Sequence, residues 1–244
     1  MPASSRAMSS TGRSEPLEIG LPLPLEIRPV RGARRLRLRI NDRRGVLRLT
    51  CPIRYSRQAA IAWAAEQRAW VEAQLAAAHP PEPFVPGAII PLEGRPVELV
   101  WDEPRARTPI VEDRRIVCGG PVTGFPARVE RFLRRRALEV LSLETRELAR
   151  RAGRKPLSVA VGDADTRWGS CSESGRIRYS WRLILAPAEA RRYVVAHEVA
   201  HLVHLNHGPE FKALEANLFG GDCSRAKSLL RSGGPRLRRL GRSR

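Results

Sequence analysis

The sequence of 244 residues predicts an α+β fold. Three observations carry that expectation. Apolar residues alternate with a period of two in the first half, and long stretches with helical spacing fill the second. The two kinds of segment are also segregated rather than interleaved, as a doubly wound sheet would require. Hydrophobic residues make up 42% of the chain, enough for a globular core, and a chain of this length holds one large or two small domains. The boundaries read as a disordered tail over residues 1–16, a β-rich region with one helix over 17–120, a second region over 121–232 that carries the chemistry, and a basic disordered tail over 233–244.

The elements follow in order. Met1 to Glu15 is rich in Ser and small residues and lacks the apolar segment of a secretory signal peptide. Leu36, Leu38 and Ile40 alternate with Arg35, Arg37 and Arg39, residues 41–45 form a turn, and Leu47, Leu49 and Cys51 resume the alternation. That is a hairpin with one apolar and one Arg-rich face. Ser56 suits the cap of an Ala-rich helix from Gln58 to Ala78 that carries Trp63 and Trp70. Pro80, Pro81, Pro83 and Pro86 make a rigid connector. Val97, Leu99 and Trp101 mark a strand, and Arg115 to Cys118 another. A long helix runs from Ala127 to Ala152, with Phe132, Leu133, Val140, Leu141 and Leu148 at apolar positions. Leu157 to Val161 is a strand. Asp165 to Cys171 and Arg176 to Ile184 flank the turn-like Glu173-Ser174-Gly175 and read as a second hairpin, with Trp168 and Trp181 packing beneath the helix that follows. That helix is expected from Ala188 to Leu205, opened by Pro187 and closed by Gly208-Pro209. Short helices follow over Pro209 to Leu218 and Ser224 to Leu230.

Four of the five histidines lie in the run His197 to His207, which contains the pattern H-E-x-x-H. Residues four apart share a helix face, so His197 and His201 point the same way, as one tetrahedral zinc needs, with the Glu198 carboxylate beside them. The third ligand has two candidates. On an unbroken helix His204 falls on the same face, but ligands strung from His197 to His204 would spread over about 10 Å along the axis. A tetrahedral site wants its third ligand from off that axis, and His207 follows the expected helix end, where Gly208 lets the chain turn back. His207 is therefore preferred, with His204 left to support or to solvent. Three imidazoles leave zinc its double charge and an open position, and Glu198 can then act as general base in a hydrolysis. Arg167, Tyr179, Tyr193 and His204 are candidate donors to a developing oxyanion.

The segments Arg167-Trp168-Gly169-Ser170-Cys171, Ile177 to Pro187, the H-E-x-x-H helix, and Asn206-His207-Gly208-Pro209-Glu210-Phe211 together resemble the YgjP-like zinc metallopeptidase family. The chain is similar, more distantly, to the SprT-like proteases, which share a His-Gly-Pro-Glu-Phe type segment. The resemblance covers the layout from about Leu17 to Arg231, with its specific motifs between Arg167 and Phe211. It implies a zincin-like metallopeptidase domain over 121–232, with His197, His201 and His207 as zinc ligands and Glu198 as general base. It also implies that a strand beside the metal can hold an extended peptide by strand addition.

The net charge is +19, and only three of 44 basic residues are Lys. A genome's base composition can favour Arg over Lys, but it does not explain the excess of bases over acids, so a polyanionic partner such as nucleic acid stays open through the Arg-rich surface and the tail from Arg231 to Arg244, with an ordinary solvated face the preferred reading of the hairpin's arginines. The Arg of the first hairpin lack interleaved aromatics, so they do not form a single-strand stacking platform. Cys51, Cys118, Cys171 and Cys223 lie far apart and form no C-x-x-C pair, which fits reduced thiols in a cytoplasm; Cys171, near the motifs, reads as a small buried side chain. No apolar run approaches the ~20 residues of a membrane span.

The leading reading is a zinc-dependent peptidase acting on a protein or peptide. The alternatives are a zinc hydrolase of a nucleotide phosphoanhydride, a DNA-associated protease of the SprT-like kind, and a structural zinc closed by His204 as fourth ligand. The second lacks an acidic cluster for the magnesium such substrates bring.

Overall fold

The computed structural model describes residues 15–41, 44–164 and 166–243. It divides into two compact units, Met1–Ala78 and His79–Arg244. The disordered tail expected at the N-terminus falls largely outside the described residues, as do Asp42 and Arg43 of the first turn and Asp165.

The first unit is a three-stranded sheet with two helices. Strands β1 (Leu25–Val30), β2 (Arg37–Asn41) and β3 (Val46–Pro52) run in the order β1-β3-β2. The expected hairpin is β2–β3, antiparallel with Leu38 opposite Leu49 and Ile40 opposite Leu47. Leu47, Leu49 and Cys51 are buried, while Arg37 and Arg39 face outward. β1 was not expected. It adds in parallel to β3 and carries Pro29, which an outer strand tolerates because its outward side needs no amide. The single helix expected after Ser56 is two, α1 (Arg57–Glu66) and α2 (Arg68–Ala76). Ser56 does cap α1, its hydroxyl accepting from the Ala59 amide at 3.3 Å. The break falls at Gln67, whose side-chain amide donates to the Trp63 carbonyl at 3.4 Å and whose own N–H turns to Ala64.

The second unit opens with a four-stranded sheet, β4 (Ile89–Leu92), β5 (Arg95–Trp101), β6 (Ile110–Glu112) and β7 (Arg115–Cys118), in the order β4-β5-β7-β6. Helix α3 (Phe125–Arg151) follows and sends Phe125, Val129, Leu133, Ala137, Leu141 and Leu148 into the core at helical spacing. The next sheet, β8 (Ser158–Gly162), β9 (Gly169–Cys171) and β10 (Arg176–Ser180), has the order β8-β10-β9. β9 and β10 form the expected hairpin, with Tyr179 opposite Gly169 and Gly175 at φ 77° in the turn. β10 is shorter than expected, because Trp181–Leu185 closes into a fully buried 3-10 turn. Trp181 is wholly buried, whereas Trp168 is half-buried against α6 (Cys223–Leu237), with the Arg238 guanidinium 4.3 Å from its ring centre.

Helix α4 (Ala188–Ala200) starts at Pro187. The turn between β4 and β5 seats this start: Glu93 N–H donates to the Ile184 carbonyl at 2.7 Å, and a Cβ on Gly94, at φ 78°, would lie 2.8 Å from the Pro187 Cα. Arg191 fixes α4 to α3 through a forked contact with Glu144, Nε at 3.1 Å and Nη2 at 2.9 Å from one carboxylate oxygen. α5 (Pro209–Phe219) and α6 complete the unit.

The basic tail expected to be disordered from 233 is largely structured. α6 continues to Leu237, and Leu240 is fully buried. Arg182, itself buried, donates to the carbonyls of Leu237 (3.1 Å) and Leu240, while its Nε pairs with Asp163 at 2.9 Å. Arg236 forks onto Glu82 with two 2.8 Å bonds. Apolar Leu237 and Leu240, spaced between arginines, provide the burial that a count of charges conceals. No helix among the described residues is long and apolar enough to cross a membrane.

Candidate metal centre

α4 is shorter than its sequence suggests, and this shapes the site. It ends at Ala200, with His201 as its C-terminal cap. The Ala200 carbonyl accepts from both Val203 (3.1 Å) and His204 (2.9 Å), tightening the chain out of the helix. His204 therefore leaves the face of His197 and His201. Its Nδ1 instead lies 3.6 Å from Glu210. The chain then turns through Asn206 and Gly208, and His207 comes back from off the helix axis.

The ring nitrogens of His197, His201 and His207 offer one atom each within 4.8 Å of one another, the group of potential ligands that the described residues bring together. His204 is outside it. Phe211, on the first turn of α5, lies under all three rings, with centroids 5.1 Å from His197 and 4.6 Å from His201 and His207.

The far side of two rings is committed. His197 Nδ1 bonds a carboxylate oxygen of Glu215 at 2.7 Å, and His201 Nδ1 bonds the His204 carbonyl at 3.1 Å. Both acceptors require the proton on Nδ1, which leaves each Nε2 as a lone pair facing inward. His197 Nε2 and His207 Nε2 stand 3.4 Å apart. Facing nitrogen lone pairs repel unless a cation or a shared proton joins them, so the donor set fits a metal ion. Burial, together with the charges of His197 and His207, holds His201 below the usual imidazole value against the pull of the His204 carbonyl, which favours the neutral ligand form.

Glu215 was missed in the sequence. It is only 5% exposed. Burial alone would raise its pKa, but hydrogen bonds from His197 and Tyr193 prevail and hold it below the usual carboxylate range. A signal did exist. Phe211, Glu215 and Leu218 share one face of α5, so a carboxylate interrupts an otherwise apolar stripe.

Glu198 is also only 5% exposed, and burial pushes its pKa up to about 7 against the opposing charge of Arg167. Its side chain lies flat against β9: a Cβ on Gly169 would sit 2.6 Å from Glu198 Cγ and 2.8 Å from Cδ, so glycine is what admits the carboxylate there. Two of the proposed oxyanion donors are engaged elsewhere. Tyr179, 1% exposed, is bonded to Thr145 Oγ1 at 2.9 Å, and Tyr193 donates to Glu215 at 2.8 Å. Arg167 is exposed and close enough for its charge to act on Glu198. Cys171 is a free thiol whose pKa rises to about 11 through burial and the nearby Glu198.

Fold and site together describe a mixed α+β protein with a three-histidine cradle, a layout that suits a metal-dependent hydrolase. The family comparison is specific. The chain matches the model of the YgjP-like metallopeptidase domain over residues 34–232 and belongs to that family. Neither the comparison with curated proteins nor the one with solved structures yields a match.

Proposed function

We propose that the chain is a zinc-dependent peptidase of zincin type, in which His197, His201 and His207 hold the metal and Glu198 is the general base. The observation that carries this reading is the convergence of three imidazoles beside a buried carboxylate, with His204 turned away to Glu210. A structural site is normally closed by four protein ligands, whereas three suit a site with an open position. Zinc there supplies a Lewis acid that acidifies water and polarises a carbonyl.

The chain's own residues do the rest. Glu215 and the His204 carbonyl orient the two helix imidazoles and hold their protons on Nδ1. A Glu198 carboxylate oxygen takes the proton of the attacking water and passes it to the leaving amine. Burial makes Glu198 a stronger base than an exposed glutamate, as that task asks. β9 is an outer strand of its sheet, and Glu198 of α4 packs against its Gly169. A peptide added along that edge therefore runs past the base, which favours an extended peptide as substrate. Arg167, adjoining this strand, is the remaining candidate to steady a developing oxyanion.

The test is a panel of short peptides, an unstructured protein and nucleoside triphosphates, offered to wild type and to Glu198→Gln. The expected result is peptide cleavage by wild type, with Glu198→Gln retaining zinc but slowed by at least about a hundredfold. Cleavage surviving the substitution, or turnover of triphosphates in place of peptides, contradicts the proposal.

A further inference from the structure

The N-terminal end of α3 and the segment between β5 and β6 line a cavity of about 410 Å³ with four arginines, Arg107, Arg128, Arg131 and Arg135, and no carboxylate is among the residues that line it. Arg128 is the centre of the problem. It is only 8% exposed. Its Nη2 donates to the Pro121 carbonyl at 2.8 Å, but its buried Nε has no acceptor among the described residues. Among the described residues no carboxylate pairs with it.

The guanidinium also sits where a cation is least welcome. It folds over Gly124, the first cap of α3, so that a Cβ there would lie 2.8 Å from Nη1. This is the positive end of a 27-residue helix with no side-chain cap and no acid in its first turn. The other buried arginines of this unit behave differently: Arg182 has Asp163 at 2.9 Å, and Arg191 has Glu144 at 2.9 Å. A buried charge is ordinarily paired, so an unpaired one at a helix N-terminus marks a place for an anion.

The surroundings complete a receptor. Arg107 packs against the Gly120 turn, its Cγ 2.8 Å from where a Cβ would stand, on the same turn whose neighbour Pro121 binds Arg128. Arg131 lies one turn beyond Arg128, and Thr123 also lines the cavity. Phe132 supplies an apolar wall. Guanidinium groups suit the oxygens of a tetrahedral dianion. The cavity falls in the range of about 300–1,000 Å³ typical for small ligands and exceeds what one phosphate fills.

We infer that this cavity binds the phosphate group of a small phosphomonoester, with Arg128 and the α3 N-terminus on the phosphate and Phe132 beside the organic part. The site is separate from the histidine cluster. α3 meets α4 at Glu144, sixteen residues past Arg128 and about 24 Å along the helix. The inference does not depend on the peptidase reading.

Calorimetric titration of the full chain with inorganic phosphate, and separately with a nucleoside 5′-monophosphate, tests it. Expected is saturable one-to-one binding, tighter for the monoester. Arg107→Gln and Arg131→Gln, both at exposed positions, should each weaken it by about tenfold. Arg128→Met should weaken it further, provided its thermal unfolding remains cooperative. Arg150→Gln, in the basic groove at the other end of α3, and His207→Ala should leave affinity within about twofold. The inference is overturned by absent or non-saturable binding, by a monoester that binds no tighter than phosphate, by equal loss in Arg150→Gln, which would mean a diffuse cationic field, or by loss in His207→Ala, which would place the anion at the histidine cluster.

Discussion

The two ends of the helical unit treat their buried polar groups in opposite ways. Around α4 the two buried arginines and one of the site's histidines meet a carboxylate from the chain: His197 meets Glu215, Arg191 Glu144, and Arg182 Asp163. What stays open there is narrow and directed, the inward Nε2 atoms of the imidazoles. At the start of α3, Arg128 has carbonyls for company but no counter-charge among the described residues, which also leave its Nε unbonded. Partnered groups build a scaffold, and the ones left open mark where something other than protein belongs. One opening asks for a cation and the other for an anion.

That contrast can be broken in graded ways. The largest expected effect on stability comes from the paired arginines. Arg182→Ala takes from the Asp163 carboxylate, 10% exposed, its hydrogen-bonded partner, leaving Arg134 at 3.8 Å, and unties the chain around Leu240; about 3–5 kcal/mol should be lost, read as a fall in the denaturation midpoint. An unchanged midpoint would mean that this pair is not scaffold.

Next comes the support of the histidines. Glu215→Gln keeps the shape but removes the charge behind His197, and metal affinity should fall by about 10–100-fold in a competition titration. An unaltered affinity would dissociate Glu215 from the metal. Gly169→Ala should lower hydrolysis while sparing metal binding, since a Cβ there collides with Glu198 rather than with an imidazole. Loss of metal instead would show that β9 supports the ligands.

The smallest effect is on acid stability. Burial alone would raise the Asp163 pKa, but the hydrogen bond and charge of Arg182, with Arg242 and Arg134, bring it below its ordinary 3.8. A carboxyl lowered in the folded state contributes stability that is complete above that ordinary value and is lost as pH falls through the folded one. Asp163→Asn should therefore be less stable than wild type near neutrality, with the gap closing in acid. A gap that stays constant down to strong acid would contradict the pairing.

What the sequence made legible was local. The β2–β3 hairpin, α3 and the His197–His201 pair follow from spacings within a few residues, so periodicity and helix geometry suffice. His207 could be preferred over His204 because a tetrahedral set excludes a straight line of ligands. The rest depended on particular hydrogen bonds that periodicity does not register, some local and some long-range. Gln67 splits one helix by claiming the Trp63 carbonyl. α4 stops at Ala200 because that carbonyl takes two amides and the His204 carbonyl meets the His201 ring. The C-terminal arginines are ordered by carbonyls that face Arg182 and by Glu82, 154 residues before Arg236. None of these partners is adjacent in sequence. Helical spacing puts Arg128, Arg131 and Arg135 on one side of α3, but no spacing rule brings Arg107 to them.

The central claim, that His197, His201 and His207 hold the metal and His204 does not, is tested most directly by zinc content after purification. Wild type and His204→Ala should each carry about one zinc per chain, and His197→Ala, His201→Ala and His207→Ala should carry almost none. A wild type free of zinc, or a His207→Ala that stays loaded while His204→Ala is empty, would contradict it.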